Sequence, residues 1–182
     1  RGGKVIADLL FGKLSPSGKL PITFYNDTAD LPAFEDYSMK GRTYRYLESE
    51  PLYPFGYGLS YGDADITSVE CNGQKVEAGV TVSADTAEGM TISVEIENKS
   101  NMELGEVVQI YIKDMDSTYA TTNGKLCGFA RVNVPAGEKV NVAVPMDKDT
   151  FTVVNDAGQK LVDGKKFTVS VGFGQADART KA

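Results

Sequence analysis

The feature that most constrains this fold is an alternation of apolar and polar residues that recurs through the second half of the chain. Four runs alternate with a period of two: 91–96, 106–113, 139–144 and 166–173. This period is typical of strands with one buried face. Gly, Asn, Asp and Pro punctuate the runs, for example at Asn72-Gly73. About seven short strands separated by turns predict an immunoglobulin-like β-sandwich.

The first 24 residues have a different pattern. Apolar residues at positions 5, 6, 9 and 10 fall on one face of a helix, which predicts a helix over residues 1–13. Pro16-Ser17-Gly18 indicates a turn, and residues 19–24 are predicted to form a short edge strand, because Pro21 lacks a backbone N–H. A single helix and strand bury little surface alone. We therefore interpret residues 1–24 as the terminal helix and strand of a larger α/β domain.

Residues 25–62 show no helical or strand period and are rich in Asp, Pro, Gly and Tyr. A stretch this long without a period is unusual inside a compact domain, so we interpret it as an ordered interdomain connector. The sandwich is then expected over residues 63–176, followed by a tail at 177–182.

Residues 44–61 hold six of the 17 aromatic side chains of the protein. Aromatic rings stack on sugars, but they also supply large buried areas between packed bodies. We favour packing between domains over direct sugar contact, and we expect the two nearby arginines to pair with local acids, Glu35, Asp36, Glu48 and Glu50. The residues predicted to pack between domains are Arg42, Tyr44, Arg45, Tyr46, Tyr53, Phe55, Tyr57 and Tyr61.

Composition excludes several functional classes. The net charge of −6 argues against nucleic acid and against anionic membranes, because both are bound by clustered Lys and Arg. No apolar run approaches the roughly 20 residues that span a bilayer. The chain has no histidine, which removes histidine-activated nucleophiles and histidine metal ligands. The two cysteines, Cys71 and Cys127, are far apart and are expected to be buried free thiols.

Acidic residues occur in four close pairs, all in predicted loops or at strand ends. Such pairs are usually surface charges or turn formers, so we predict no catalytic residue, no metal site and no cofactor. Calcium binding by Asp114 and Asp116 is disfavoured, because no glycine-bearing calcium loop surrounds them. The four pairs are Glu35 with Asp36, Glu48 with Glu50, Asp114 with Asp116, and Asp147 with Asp149.

Several segments carry a family resemblance. GGKVIADLLFGKLSPSGKLPITF (2–24) resembles the closing segment of the α/β sandwich domain of glycoside hydrolase family 3. DYSMKGRTYRYLESEPLYPFGYGLSY (36–61) resembles the connector that follows this domain. Residues 104–114, 125–132, 134–146 and 163–174 resemble the family's fibronectin type III-like domain.

The resemblance implies a mainly β fold: a fibronectin type III-like sandwich, preceded by a short helix–strand remnant and the connector. Family members are mostly β-glucosidases and β-xylosidases that retain stereochemistry. Their nucleophile is an aspartate of an N-terminal (β/α)₈ barrel, and their acid/base is usually a glutamate earlier in the α/β domain. Neither segment matches this chain. We therefore expect a C-terminal structural and positioning region, inactive alone.

The expected partners are the barrel and α/β domains of the parent enzyme, with a β-linked glycan reached only through them. Self-association of the chain is a further expectation. The resemblance alone favours a secreted or periplasmic location. Two alternatives stay open: a non-catalytic module that binds carbohydrate or a cell surface, and a spacer or dimer contact.

Overall fold

The computed structural model describes residues 2–79, 88–177 and 180. Helices α1 (Gly2–Leu10) and α2 (Thr43–Tyr46) lie in the N-terminal third, and short 3₁₀ helices span Thr28–Asp30 and Lys148–Phe151. The strands are β1 (Ala64–Cys71), β2 (Gln74–Val76), β3 (Met90–Asn98), β4 (Leu104–Asp114), β5 (Lys125–Val134), β6 (Lys139–Met146), β7 (Val153–Val154), β8 (Lys160–Leu161) and β9 (Phe167–Gly172).

Seven of these strands form two antiparallel sheets. One sheet has the order β2–β1–β3–β6 and the other β5–β4–β9, while β7 and β8 form a separate hairpin. The sheets pack face to face around one apolar core, which confirms the predicted sandwich. The core includes Ile92, Val94, Ile96, Leu104, Val108, Ile110, Val134, Val144, Met146 and Phe173.

The period-two pattern explains how the core forms. In β3, Ile92, Val94 and Ile96 are buried while the residues between them are partly exposed. Their partners in β6 are Val144, Val142 and Val140, in the same order. Directly opposite residues of an antiparallel pair lie on the same face, so this register places both apolar rows in the core.

The predicted turn at Asn72-Gly73 connects β1 to β2. Both residues have positive φ, 49° and 78°, as a two-residue type I′ hairpin requires. The Asn72 side chain also accepts a hydrogen bond from the Thr91 amide at 2.8 Å, which ties the turn to β3.

A buried asparagine closes the other end of the sandwich. Asn98 is fully buried, and its amide donates to the carbonyls of Met102 at 2.8 Å and Val134 at 2.9 Å. Its carbonyl oxygen accepts from the Ser100 amide at 2.9 Å. One side chain thereby joins the end of β3, the following loop and the end of β5.

The N-terminal segment agrees with the sequence only in part. The predicted helix is present as α1 and is followed by Gly12 at φ 68°, a left-handed helix end that glycine favours. The strand predicted over residues 19–24 is not formed: only Phe24 makes a bridge, with Tyr53. The reason is that the facing chain, residues 52–57, is irregular connector rather than sheet, so the backbone bonds are made only around Leu20 and Phe24.

Candidate functional site

The candidate site is the seam, meaning the contact between residues 13–62 and the sandwich. Tyr44 of α2 lies at its centre. Its ring stacks on Phe55, with centroids 4.5 Å apart, and meets Tyr111 of β4 edge-on at 6.0 Å. Its hydroxyl accepts a hydrogen bond from the Leu126 amide of β5 at 3.0 Å. Both the ring and the hydroxyl of Tyr44 therefore bind the sandwich.

Two amide side chains of the sandwich clamp the backbone beside Tyr44. Asn123 donates to the carbonyls of Tyr44 and Leu47, both at 2.8 Å, and Gln175 donates to the Tyr44 carbonyl at 3.2 Å. In addition, the Gln175 backbone amide donates to the Phe55 carbonyl at 3.1 Å. Carbonyls of an irregular segment need such partners when water is excluded.

The outer face of β4 is covered at this place. Gln109 and Tyr111 point away from the core, yet both are buried, and Tyr111 donates to the Gln109 side chain at 2.5 Å. Burial, with a smaller contribution from the neighbouring Tyr44, raises the pKa of Tyr111 well above its usual range. Gly56 permits the close approach, because a Cβ there would lie 2.7 Å from a Gln109 oxygen.

A second aromatic group lies further along the connector. Tyr53 packs against Tyr57 with centroids 5.0 Å apart and meets Phe24 edge-on at 5.9 Å. Tyr53 and Phe24 are each about 40% exposed, so this group is open to solvent on one side. Tyr61 is exposed as well, but its hydroxyl donates to the Leu9 carbonyl and its amide donates to the Ser15 hydroxyl, both at 3.0 Å.

Among the described residues, Arg42 and Arg45 form none of the salt bridges expected with the four local acids. Arg42 donates to the backbone carbonyls of Ser38 at 3.0 Å and Ala33 at 3.3 Å, and also to that of Asp36. It therefore pins the loop that precedes it, because three carbonyls of that loop converge on the guanidinium. Arg45 donates to the hydroxyl of Tyr44 at 3.3 Å and lies 5.8 Å from that ring. Tyr46, half-buried, ends α2.

A buried ion pair in the seam was missed by the sequence reasoning. Lys19 Nζ lies 3.1 Å from Glu106 Oε2, and the side chains are 14% and 5% exposed. A signal for it existed: Glu106 has the same parity as the apolar residues Leu104, Val108 and Ile110 of its strand. A carboxylate in a buried row requires a partner, although the pattern does not say which residue it is.

Asp114 and Asp116 hold two loops together through hydrogen bonds to backbone amides. Asp114 is buried and accepts from the amides of Asp116, Ser117 and Gly164 at 3.0, 3.1 and 2.9 Å. Asp116 accepts from the amides of Lys165 and Lys166. These bonds join the loop after β4 to the turn before β9.

Two hollows adjoin the seam. A groove of about 480 Å³ runs between α1 and the sandwich, lined by Leu9, Leu14, Met102 and Arg131 among others. An open hollow of about 310 Å³ beside Tyr44 is lined in part by Glu48 and Glu50, both of which are exposed. The acid of a retaining glycosidase has its pKa raised by an apolar surround, which two exposed carboxylates lack.

Some observations bear on other classes of site. Among the residues that the structure describes, no three His, Cys, Asp or Glu side chains are grouped so that they could hold a metal ion. The described helices include none with the length and apolar character needed to cross a bilayer. Both cysteines are free thiols, and burial raises the pKa of Cys127 to about 11.

Comparison with known families now decides the family. Residues 1–61 match the model of the glycosyl hydrolase family 3 C-terminal domain, and residues 106–175 match that of a fibronectin type III-like domain. This chain belongs to glycosyl hydrolase family 3. Within the family it corresponds to the C-terminal region, and its sandwich is the fibronectin type III-like domain.

Relatives and solved structures agree with this assignment. A xylan 1,4-beta-xylosidase of Xylanibacter ruminicola is 38% identical over 150 residues, which are 82% of this chain and 16% of the relative. A periplasmic beta-glucosidase of Salmonella typhimurium is 32% identical over 187 residues, 96% of this chain and 23% of the relative. The crystal structure of a Bifidobacterium adolescentis family 3 beta-glucosidase covers the whole chain with a TM-score of 0.78 and 28% identity.

The family 3 chain described here is much shorter than these relatives. It spans between 16% and 24% of the length of the curated proteins it matches, and 27% of the Bifidobacterium chain.

Proposed function

We propose that this chain is the C-terminal structural and positioning region of an exo-acting retaining β-glycosidase, either a β-glucosidase or a β-xylosidase. The catalytic carboxyl pair belongs to other parts of the parent protein. The observation that carries the proposal is the match of nearly the whole chain to a fifth of the length of enzymes named for these activities. The β-linked glycan reaches this region only as a substrate of the parent.

The seam supports a positioning role. Its stacked rings and clamped carbonyls hold residues 13–62 against the sandwich without a regular hydrogen-bond ladder. Each large ring buries about 150–250 Å², so a few rings contribute several kcal/mol of docking free energy at about 25 cal/mol per Å² before entropy costs. We assign Arg42, Tyr44, Arg45, Tyr46, Tyr53, Phe55, Tyr57 and Tyr61 to packing between domains. The unit boundaries proposed are residues 24/25, 62/63 and 176/177.

The partner proposed for the other side is the α/β and barrel part of the parent. Ile6 and Leu10 of helix α1 and Phe11, which follows the helix, are 59%, 77% and 82% exposed. These three side chains form an apolar surface that suits a larger domain. This chain covers 23% of the length of the Salmonella relative, so the rest of such a polypeptide is long enough to include that domain.

Complementation tests the proposal. The coding sequence upstream of residue 1 is expressed as a separate polypeptide and mixed with the purified chain. We expect the two parts to associate and the hydrolysis of an aryl β-glucoside or β-xyloside to rise over that of the upstream part alone. A mixture that neither associates nor gains activity contradicts the proposal.

The alternative is a non-catalytic carbohydrate-binding module, favoured by the partly exposed aromatic group around Tyr53. Calorimetric titration of the purified chain with xylan and cello-oligosaccharides separates the two functions. We expect no heat of binding. Saturable binding that is lost in Tyr53→Ala and kept in Tyr119→Ala, an equally exposed tyrosine of the sandwich, establishes the module instead.

A further inference from the structure

The Lys19–Glu106 ion pair places two opposite charges in a buried part of the seam, whereas the aromatic contacts bury uncharged rings. Lys19 lies 3.1 Å from Glu106 Oε2 and 5.9 Å from the centroid of the Phe173 ring, inside the end of the sandwich. Within the described residues, this carboxylate oxygen has no polar partner other than Lys19, which is also the one cation there within 4 Å of the buried charge.

Burial makes the loss of one partner cost more free energy than the intact pair contributes to the docked state. Removing one partner of a buried pair is strongly unfavourable, because the other charge stays desolvated and unpaired. Replacing both partners by apolar residues is often nearly neutral. The pair therefore adds little net stability to the docked state, but it penalises any arrangement in which Lys19 is withdrawn.

The backbone around Lys19 is closely packed at two glycines, Gly58 and Gly105. A Cβ on Gly58 would lie 2.4 Å from the Gly18 carbonyl oxygen, and a Cβ on Gly105 would lie 2.9 Å from Ser17 Cβ. Arg131 of β5 donates to the Ser17 hydroxyl at 3.2 Å. The turn before Lys19 is thus fitted closely between the connector and β4.

We propose that Lys19 and Glu106 form a positioning latch that fixes the sandwich against residues 16–20. Because only residues 11–15 separate α1 from residues 16–20, the latch also sets the direction of the sandwich relative to any domain that packs on α1. This second consequence rests on the proposed function. The latch itself is a property of the 182-residue chain and is tested there, so its failure is distinguishable from failure of the glycosidase proposal.

No other described cation near the turn pairs with Glu106 in place of Lys19. Arg131 is engaged by Ser17 and by the Asn133 side chain at 3.0 Å. Lys13 and Glu103 line the groove beside the turn. Neither Arg131 nor Lys13 forms an ion pair with Glu106 among the described residues, so the loss of Lys19 leaves the carboxylate without a counter-charge.

The test is Lys19→Met, which keeps the length of the side chain and removes its charge. Two amides report on the docked turn: Leu20 donates to the Tyr57 carbonyl and Gly56 donates to the Leu20 carbonyl, both at 2.8 Å. We expect hydrogen exchange of both to become more than about tenfold faster at pH 7.

Two further variants complete the experiment. Lys19→Met with Glu106→Leu is expected to exchange within about threefold of the unchanged chain at pH 7. The matched control is Lys139→Met, which breaks an exposed pair with Glu95 of 2.9 Å and leaves both amides unaffected. If Lys19→Met does not fold, folding and protection of the double variant support the latch.

Two results overturn the latch. The first is exchange in Lys19→Met within about threefold of Lys139→Met. The second is a double variant that exchanges as fast as Lys19→Met or fails to fold.

Discussion

Among single residues, Tyr44 contacts the sandwich through its ring, its hydroxyl and its backbone carbonyl. Its ring contacts Phe55 and Tyr111, its hydroxyl accepts from Leu126, and its carbonyl accepts from Asn123 and Gln175. A sugar-binding platform would leave the ring face free, whereas here Phe55 covers one face. The position of Tyr44 therefore favours the packing role over direct sugar contact.

The Tyr44 hydroxyl can be tested alone. Tyr44→Phe leaves the ring in place and removes the acceptor of the Leu126 amide, so we expect a loss of about 1–2 kcal/mol in the free energy of unfolding. Urea denaturation measures it. Tyr37→Phe is the control, since Tyr37 is 88% exposed, and its change should stay within about 0.5 kcal/mol. Equal effects of the two variants contradict this role.

Cys127 predicts how stability depends on alkaline pH. Burial raises the pKa of its thiol from 9.0 to about 11. Between these two pKa values the folded chain keeps the thiol proton while the unfolded chain releases it. The contribution of this thiol to the free energy of unfolding is therefore fully present below pH 9 and is lost as the pH rises toward 11. The contribution is about 1 kcal/mol between pH 8 and 10. Urea denaturation at both values should show a flatter dependence in Cys127→Ala; an unchanged slope contradicts the assignment.

Among the elements, β4 contacts the N-terminal segment through Glu106 and the connector through Tyr111. Its even-numbered residues form a buried row with acids near both ends, Glu106 and Asp114. The alternation predicts the strand and even marks the two acids as exceptions within an apolar row. It does not reveal their partners, because Lys19 and Gly164 lie far from them in sequence and meet them only after the chain has folded.

The limits of sequence reasoning have physical causes at this scale. Strands of the sandwich follow from a local period, and the turn at Asn72-Gly73 follows from local turn chemistry, so both were predicted. The strand expected over residues 19–24 fails because pairing depends on a neighbouring sheet, and here the facing chain is irregular. Arg42 binds carbonyls because the preceding loop curls around it, a geometry that composition does not encode.

Asn98 offers a sharp test of how the elements are joined. Asn98→Asp keeps the shape but cannot donate to the carbonyls of Met102 and Val134. A buried carboxylate facing carbonyl oxygens is unfavourable, so we expect a loss of about 2–4 kcal/mol at pH 7 by urea denaturation. Asn141→Asp, on an exposed position of β6, is the control. A loss below about 0.5 kcal/mol would show that this network is dispensable.

For the whole molecule, burial divides the chain unequally. The sandwich has a continuous core, whereas α1 contains no buried residue and exposes most of its apolar side chains. The two parts share the seam, but the apolar face of α1 stays exposed to solvent. The sandwich therefore has a buried core of its own and α1 does not, as expected for a region of a longer family 3 enzyme.

Hydrogen exchange should reproduce this division. We expect the amides of α1 to exchange more than about a hundredfold faster than those of β3 and β4, because few contacts oppose opening of the helix. Sedimentation at the same concentration establishes whether the chain is monomeric, since association through α1 would protect that helix. Uniformly slow exchange across residues 2–62 in a monomer would contradict this picture.

The claim that this region positions but does not catalyse is tested most directly by the turnover of p-nitrophenyl β-glucoside and β-xyloside by the pure 182-residue chain. We expect release of p-nitrophenol at the rate of buffer alone, because the proposed function places the catalytic carboxyl pair in other parts of the parent enzyme. Turnover that copurifies with the chain and disappears when one of its acids is replaced would contradict the claim.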